Sequence, residues 1–268
     1  MRADESKTRR GIAGRIAACL LPAARRGVVR DVRIGLGYTA VLLSGNRLGV
    51  AYTFRNEARG GCSVFDGLRP LIGRPASDLL PLATSSDRIE AAVGLACANA
   101  LANLPADGYE EGDVLEHLDL RRTDHVAMVG NFSPLVGPVK QRVKSLTVFD
   151  LVDRPTGAIR PAAEAEGMLP SCQVALITAT AIINGTIDPL LHAARACRAV
   201  AVLGASTPLL AEAFRGTKVT MLSGVVADKK KDILRVVSEG GGMRQFSPYV
   251  RKVSWRIPGF KNKSRGAF

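Results

Sequence analysis

The sequence predicts an α/β protein in which a parallel-sheet domain follows a smaller α+β domain. From Val126 onward, apolar strand-like segments alternate with helical segments, which is typical of a parallel sheet with helices on its faces. Residues 28–105 contain a hairpin pattern and one long amphipathic helix. A chain of 268 residues also exceeds the ~250 residues at which single cores stop growing. We therefore expect domains at 1–112 and 113–257, followed by a basic tail at 258–268.

The first domain is predicted to begin with an amphipathic helix within residues 1–27. Asp4, Glu5 and the interrupting Arg15 favour this helix over a cleaved signal peptide, which is the alternative. Residues 32–54 alternate as two strands around the turn "SGNR", with a further strand at 28–34. The clearest helix covers 85–105, with Asp87 near its start and Pro105 at its end.

The second domain is predicted from its strand, polar loop and helix rhythm. Strands are expected at 126–130, 145–150, 173–178, 199–203 and 218–223, with an added edge strand at 250–257. Helices are expected at 134–143, 187–197, 208–215 and 229–239. No apolar run reaches the roughly 18 residues that a membrane span requires, so we expect no membrane association.

The net charge of +13 lies mainly at the two ends of the chain. Residues 1–33 carry +6 and residues 229–268 carry +9, whereas the segment between them carries −2. Aromatic residues are only 5% of the total, and no RRM-like or zinc-finger spacing occurs. We therefore interpret the charge as solvated termini, with weak attraction to polyanions rather than a nucleic-acid groove.

The five cysteines are odd in number, widely spaced and without a CxxC pair. This usage favours reduced thiols in a cytoplasmic protein over a disulfide framework. The three histidines lack the spacing of a local zinc site. The oligomeric state is left open, a homodimer included.

Small polar residues follow the predicted strands of the second domain. The stretch "ALITATAIINGTIDPLL" (175–191) passes from a strand through hydroxyl and amide residues into a helix, and Thr186 is a candidate N-cap. Ser206 or Thr207 has the same role before Pro208. All parallel strands deliver their carboxyl ends to one edge, where ligands bind. We expect these loops to meet there, although capping alone explains any single loop.

Neither a dinucleotide nor a nucleophilic site is clear from these motifs. The first loop, "GNFSPLVG" (130–137), lacks the GxGxxG pattern. Asp150 follows Gly130 at the distance typical of a ribose-binding acid, which is weak support for an adenosine-type ligand. Cys62 is a candidate thiolate in a polar loop or, equally, a half-buried apolar residue.

Seven motifs in order resemble the bacterial and archaeal family named for heavy-metal chelation. They are "GYTAVLL…GVAYTF", "GCSVFDG", "GLACANAL", "VGNFSPLV", "LPSCQVALITATAIINGT", "VLGASTPL" and "LSGVVADKKKDILRVVSEGGG". The resemblance covers roughly residues 10–257. It implies an enolase N-terminal-like domain, a Rossmann-like domain, and a pocket in the cleft between them.

The resemblance also implies the residues of that pocket. The ligand-binding candidates are Asn131, Phe132, Asp150, Thr178, Thr180, Asn184, Thr186, Ser206, Thr207, Ser223, Gly224 and Asn99. Cys62 and Asp150 are the candidates for direct metal binding. One departure is Ala179, where a glycine is expected between two threonines.

These observations lead to one main hypothesis and one alternative from another class. The main hypothesis is a cytoplasmic protein that binds a small anionic or metal-chelating ligand in the interdomain cleft, with a heavy-metal ion or a metal chelate as the group bound. The alternative is a transferase-type enzyme with an adenosine cofactor, in which Asp150 binds the ribose. Catalysis itself is left open.

Overall fold

The computed structural model describes residues 11–57, 69–112 and 114–257 of the chain. These residues form a three-stranded antiparallel sheet near the N-terminus and an eight-stranded sheet after it. Among the described residues, no helix has both the length and the apolar character needed to cross a membrane.

The N-terminal part contains three helices and the smaller sheet. Its elements are α1 (Ile12–Ala24), β1 (Val29–Ile34), β2 (Tyr38–Leu43), β3 (Arg47–Tyr52), α2 (Ala76–Leu79) and α3 (Arg88–Ala102). The predicted hairpin is confirmed, and its turn places Gly45 and Asn46 at φ of 75° and 56°. Glycine and asparagine tolerate this left-handed backbone better than other residues.

Helix α3 is the central element of the N-terminal part. The Asp87 carboxylate accepts hydrogen bonds from the N–H groups of Ile89 and Glu90, so the predicted cap is present. The helix lies directly on β3, because a Cβ atom on Gly49 would be 2.1 Å from the backbone nitrogen of Ala100. Only glycine allows this approach, which fixes α3 between the two sheets.

The second part consists of the larger sheet and its helices. Its strands are β4 (Glu110–Glu111), β5 (His125–Val129), β6 (Ser145–Asp150), β7 (Ile159–Pro161), β8 (Val174–Thr178), β9 (Ala199–Leu203), β10 (Val219–Ala227) and β11 (Val250–Arg256). Its helices are α4 (Val114–His117), α5 (Ser133–Lys140), α6 (Ala165–Met168), α7 (Thr180–Ile183), α8 (Ile187–Ala193), α9 (Lys230–Ser238) and α10 (Met243–Phe246).

The order of the larger sheet is β4-β11-β10-β9-β8-β5-β6-β7. Strands β10 to β7 are parallel, and β11 and β4 extend the sheet in antiparallel pairs. If only the six parallel strands are numbered along the chain, their spatial order is 3-2-1-4-5-6. This is the Rossmann order, and its switch point lies between β5 and β8. The predicted α/β fold class is therefore confirmed.

Two sequence-based expectations about this sheet were wrong. The helix expected at 208–215 is reduced to a 3-10 turn at Ala211–Phe214, because the backbone of Leu210, with φ of −137° and ψ of 80°, is not helical. The strand expected at the edge, β11, lies inside the sheet, because β4 pairs with Val253 and Ser254.

The two parts of the chain share their hydrophobic core. The largest cluster of buried side chains runs from Ile12 and Leu95 into Ile177 and Val202. Another cluster joins β2 and β3 to β10, α9 and α10, where the rings of Tyr38 and Phe246 meet edge to face at 5.0 Å. This shared packing holds the N-terminal part in a fixed position over the larger sheet.

Candidate functional site

A cleft of about 900 Å³ opens at the carboxyl edge of the larger sheet. It lies at the β5–β8 switch point, and the segment after β3 forms its opposite wall. The lining residues are Tyr52, Phe54, Arg55, Asn56, Glu57, Val129, Gly130, Asn131, Phe132, Asp150, Leu151, Ala162, Ala163, Glu166, Thr178, Thr180, Ala181, Asn184, Thr186 and Leu190. Seven of the sequence-predicted residues are thus brought together.

The loop after β5 contributes Gly130, Asn131 and Phe132 to the cleft. Gly130 has φ of 94°, and a Cβ atom there would be 2.7 Å from the Cβ of Thr178. Glycine therefore lets the first loop lie directly against the end of β8. The side-chain oxygen of Asn131 accepts a hydrogen bond from the Ser133 hydroxyl at 3.2 Å, and Ser133 is the first residue of α5.

The loop after β8 forms the other side of the switch point. The Thr178 and Thr180 hydroxyls are 3.0 Å apart and hydrogen-bonded. The Asn184 side-chain oxygen accepts hydrogen bonds from the Thr186 N–H and hydroxyl at 3.1 and 2.7 Å. Thr186 occupies the predicted N-cap position of α8, but its hydroxyl binds Asn184 rather than the helix. Ala179 is fully buried.

Three carboxylates line the cleft, each from a different element. Asp150 ends β6, and one of its oxygens accepts the Leu151 N–H at 2.8 Å. Glu166 lies on α6, and Glu57 follows β3. Among the described lining residues, Arg55 is the single cationic side chain. The described wall of the cleft therefore carries more negative than positive charge.

The N-terminal wall runs from Tyr52 to Glu57, and sequence reasoning did not predict it. The rings of Tyr52 and Phe54 meet edge to face at 5.0 Å and give the wall an aromatic surface. Arg88 ties this wall to the opposite loop, because it donates to the Glu57 carboxylate at 3.2 Å and to the Ile183 carbonyl at 3.0 Å. Both sides of the cleft are thereby held at one separation.

Five of the predicted residues lie away from the cleft. Asn99, Ser206 and Thr207 are buried where α3 meets the loop after β9. Asn99 donates to the carbonyls of Val50 and Ser206 at 2.8 and 3.0 Å.

The other two predicted residues lie on β10. The Ser223 hydroxyl accepts from Ser254 at 3.1 Å. Gly224 packs against Thr207, whose carbonyl oxygen would be 3.0 Å from an added Cβ. The expectation that the fourth and fifth loops reach the ligand edge does not match this geometry. The N-terminal part covers the loop after β9, and Ser223 and Gly224 lie inside β10, which continues to Ala227.

The positions of the two predicted metal ligands, Cys62 and Asp150, cannot be compared. Cys62 lies outside the described residues, whereas Asp150 lines the cleft. Among residues 11–57, 69–112 and 114–257, no group of three or more His, Cys, Asp and Glu side chains could hold a metal ion. Burial raises the pKa of the Cys97 thiol to about 12, so the cysteine of α3 is a protonated core residue.

Comparisons with known proteins agree with this architecture. The chain is 29% identical over 221 residues to an uncharacterized protein of Methanocaldococcus jannaschii, covering 77% of this chain and 82% of that protein. A structure of a protein with unknown function from the DUF364 family of Pyrococcus horikoshii aligns with a TM-score of 0.82 at 23% identity, covering 92% and 100% of the two chains. A DUF364 structure from Desulfitobacterium hafniense gives 0.75 at 21%, covering 90% and 96%. At such identities the two structures show the shared fold alone.

Two family models match consecutive parts of the chain. The DUF4213 model matches residues 17–102, which contain the smaller sheet and α3, and the DUF364 model matches residues 113–256, which contain most of the larger sheet. Both carry the description "Putative heavy-metal chelation". The second match covers more than half of the sequence, and the chain therefore belongs to this heavy-metal chelation family.

Proposed function

We propose that the protein binds a metal chelate, that is, a small organic ligand already holding a heavy-metal ion, in the interdomain cleft. The observation that carries this proposal is the composition of the cleft at the switch point. Aromatic and apolar side chains from both walls suit an organic body, and carboxylates from three elements suit a bound cation. Family membership supports a metal as part of the ligand.

The described side chains favour a preformed chelate over a bare ion or a simple anion. Soft heavy metals prefer thiolate and imidazole ligands, and neither is present in the described lining. Among the described residues, a simple anion would meet Asp150, Glu166 and Glu57, the last of which is paired with Arg88, and Arg55 would be the single cation of the lining. A chelate can use hydroxyls and amides, such as Thr178 and Asn184, for its organic oxygens and the carboxylates for its residual positive charge.

Calorimetric titration of tag-free protein tests this function. The titrants are Ni²⁺, Cu²⁺ and Zn²⁺ alone, and the same ions as preformed 1:1 histidine complexes, which keep one positive charge. We expect one complex per chain for at least one chelate, and an affinity about tenfold lower in Asp150→Asn, the loss of roughly one charge-assisted contact. Asp153→Asn is the matched control, since Asp153 is exposed on the same loop and outside the lining.

The outcomes separate direct from indirect metal binding. Tight binding of the free ions that disappears in Cys62→Ser and Asp150→Asn would support the direct site of Cys62 and Asp150 instead. No binding of any complex, or equal losses in Asp150→Asn and Asp153→Asn, would contradict the proposal.

A second candidate is an adenosine-cofactor enzyme that uses the same cleft. The 3-2-1-4-5-6 strand order favours it, because Asp150 ends the strand beside β5 and lines the cleft, where such folds bind ribose. Thermal-shift screening of S-adenosylmethionine, ATP and NAD tests this candidate. Stabilisation that is lost in Asp150→Ala would support it, and no shift with any of the three would exclude these cofactors.

We also infer that the protein works in the cytoplasm. The four cysteines in the described part of the chain are free thiols, which suits a reducing compartment. Fractionation of the source cells, with a cytoplasmic and a secreted marker, tests the location.

A further inference from the structure

Two cysteines precede neighbouring strands at the amino edge of the larger sheet, opposite the cleft. Cys172 lies two residues before β8, and Cys197 lies two residues before β9. The strands are parallel and pair Val174 with Ala199. Continuing this register by two residues places Cys172 opposite Cys197.

The two cysteines also share their local structure. Each follows a 3-10 turn, Leu169–Ser171 or Ala194–Ala196, and each has extended backbone, with φ of −95° and −64° and ψ of 148° and 143°. Both side chains belong to the same buried cluster, and both are at most 5% exposed. The two thiols therefore lie on the same face of the sheet.

Hydrogen bonds bring the two sulfur atoms to one turn. Cys172 Sγ donates to the Met168 carbonyl at 3.5 Å, and Cys197 Sγ donates to the adjacent Leu169 carbonyl at 3.6 Å. The Leu169 carbonyl also accepts the N–H of Cys172 at 3.1 Å. Burial, and then the nearby Cys172 thiol, raise the pKa of Cys197 to about 11. Both groups are protonated thiols until something displaces their protons.

We propose that Cys172 and Cys197 form a site for a soft, two-coordinate d10 cation, with Hg²⁺ as the best fit. Thiolates are the ligands that soft ions prefer. Binding replaces two S–H bonds by two Hg–S bonds and releases two protons, so that Hg²⁺ leaves a neutral complex. A neutral complex suits these apolar surroundings, whereas a free thiolate there would be costly.

The pair could be joined either by a bridging ion or by a disulfide. Facing positions on neighbouring strands are roughly 4.8 Å apart, which lies within the Cα–Cα range of about 4.4–6.8 Å that a disulfide allows. In reduced protein both thiols remain available to an ion, and mass spectrometry separates the two cases. The residues just before the two cysteines, Ser171 and Ala196, are exposed, so the buried pair lies close to the protein surface. The site is independent of the cleft and of the function proposed for it.

Mercury retention against an excess of glutathione tests the site. A monothiol competitor removes Hg²⁺ from isolated cysteines, but a pair that binds through both sulfurs keeps it through its higher effective concentration. Native mass spectrometry of the reduced, tag-free full chain should show one mercury. Cys172→Ser and Cys197→Ser should each lower its retention at least tenfold. Cys19→Ser and Cys97→Ser are the matched controls and should keep it.

Alkylation of the unsubstituted protein keeps the proposal testable if a variant fails to fold. Peptide mapping of protein unfolded in urea should show Cys172 and Cys197 protected from iodoacetamide in the mercury-loaded sample but not in the mercury-free sample. Retention that persists in the Cys172→Ser/Cys197→Ser double variant, or that is lost in Cys62→Ser, would overturn the proposal. A protein mass that is lower by two hydrogens, without retained mercury, would identify a disulfide between the two cysteines. This result would also overturn the proposal.

Discussion

The loops after β8 and β9 leave the same edge of the sheet but end in different surroundings. The β8 loop, residues 179–186, contributes Thr180, Asn184 and Thr186 to the lining of the cleft. The β9 loop, residues 204–207, is similar in composition, but Ser206 and Thr207 are 2% and 0% exposed. Polar residues at a strand end therefore mark the ligand edge of a parallel sheet, but they do not show what will cover it.

At the β9 loop, residues of the N-terminal part occupy the position where a ligand was expected. Asn99 on α3 and Asn103, the C-cap of this helix, lie one turn apart, and their amides donate to the carbonyls of Ser206 and Thr207. The Ser206 hydroxyl accepts the N–H of Tyr52 at 2.9 Å. We call Asn99, Asn103, Ser206 and Thr207 the interdomain junction. Its polar groups stabilise the docking of the two parts, and this docking fixes the walls of the cleft.

The largest effect is expected from Asn103→Ala in the interdomain junction. The Asn103 amide donates to the Thr207 and Val225 carbonyls, and its oxygen accepts the Leu209 N–H. Alanine leaves these three buried groups without a partner, so the free energy of unfolding should fall by about 3–5 kcal/mol. Chemical denaturation measures it, with Asn184→Ala in the cleft as the matched control. A loss below about 1 kcal/mol would show that the junction does not hold the two parts together.

The contrast between the two loops explains which predictions from sequence succeeded. The apolar runs of β6 and β9 were placed at 145–150 and 199–203, which are their observed bounds, because strand cores carry a strong local signal. The assignment of Ser206 and Thr207 to the ligand edge relied on the same local signal. A local signal carries no information about α3, which is about a hundred residues away in the chain and covers this loop.

The N-terminal wall was missed for the opposite reason. Arg55, Asn56 and Glu57 form a short 3-10 turn after a hairpin, and nothing local separates them from other surface residues. Glu166 lies on a helix of four residues. Their place in the cleft depends on how β3 docks over the switch point, which is a tertiary property.

A moderate effect is expected from Arg88→Ala, which cuts the link across the cleft. Arg88 joins Glu57 to the Ile183 carbonyl, and it is about a third exposed. Solvent screening limits the contribution of the ion pair, so we expect the unfolding free energy to fall by only about 1 kcal/mol. Loosened walls should weaken chelate binding several-fold, as measured by calorimetry.

Arg88→Lys is the informative control for this link. Lysine keeps the charge but cannot donate to both Glu57 and Ile183 in the fixed geometry of a guanidinium. Its affinity should therefore lie between those of the parent and Arg88→Ala. Parent-like chelate binding in Arg88→Ala would show that the walls hold their separation without Arg88.

A smaller effect on stability is expected from Thr178→Val within the cleft. Valine keeps the shape of the side chain but loses the hydrogen bond to the Thr180 hydroxyl. Because this bond is partly exposed, the cost should be about 0.5–1 kcal/mol. Binding of the chelate should fall more than stability, because the cleft loses a hydroxyl. If Thr178→Val matched the parent in both stability and chelate affinity, Thr178 would not belong to the proposed site.

The smallest effect is expected from Thr207→Val, which makes the same change in the interdomain junction. The Thr207 hydroxyl is buried and has no hydrogen-bond partner among the described residues. Valine removes a polar group that is costly to bury and keeps its volume, so stability should stay within about 0.5 kcal/mol of the parent or rise. Thermal unfolding of Thr207→Val and Thr178→Val, measured side by side, compares the effect of the same substitution in the β9 and β8 loops. If Thr207→Val instead lost chelate binding at unchanged stability, this hydroxyl would act on the ligand, and the loop after β9 would rejoin the site that its sequence predicted.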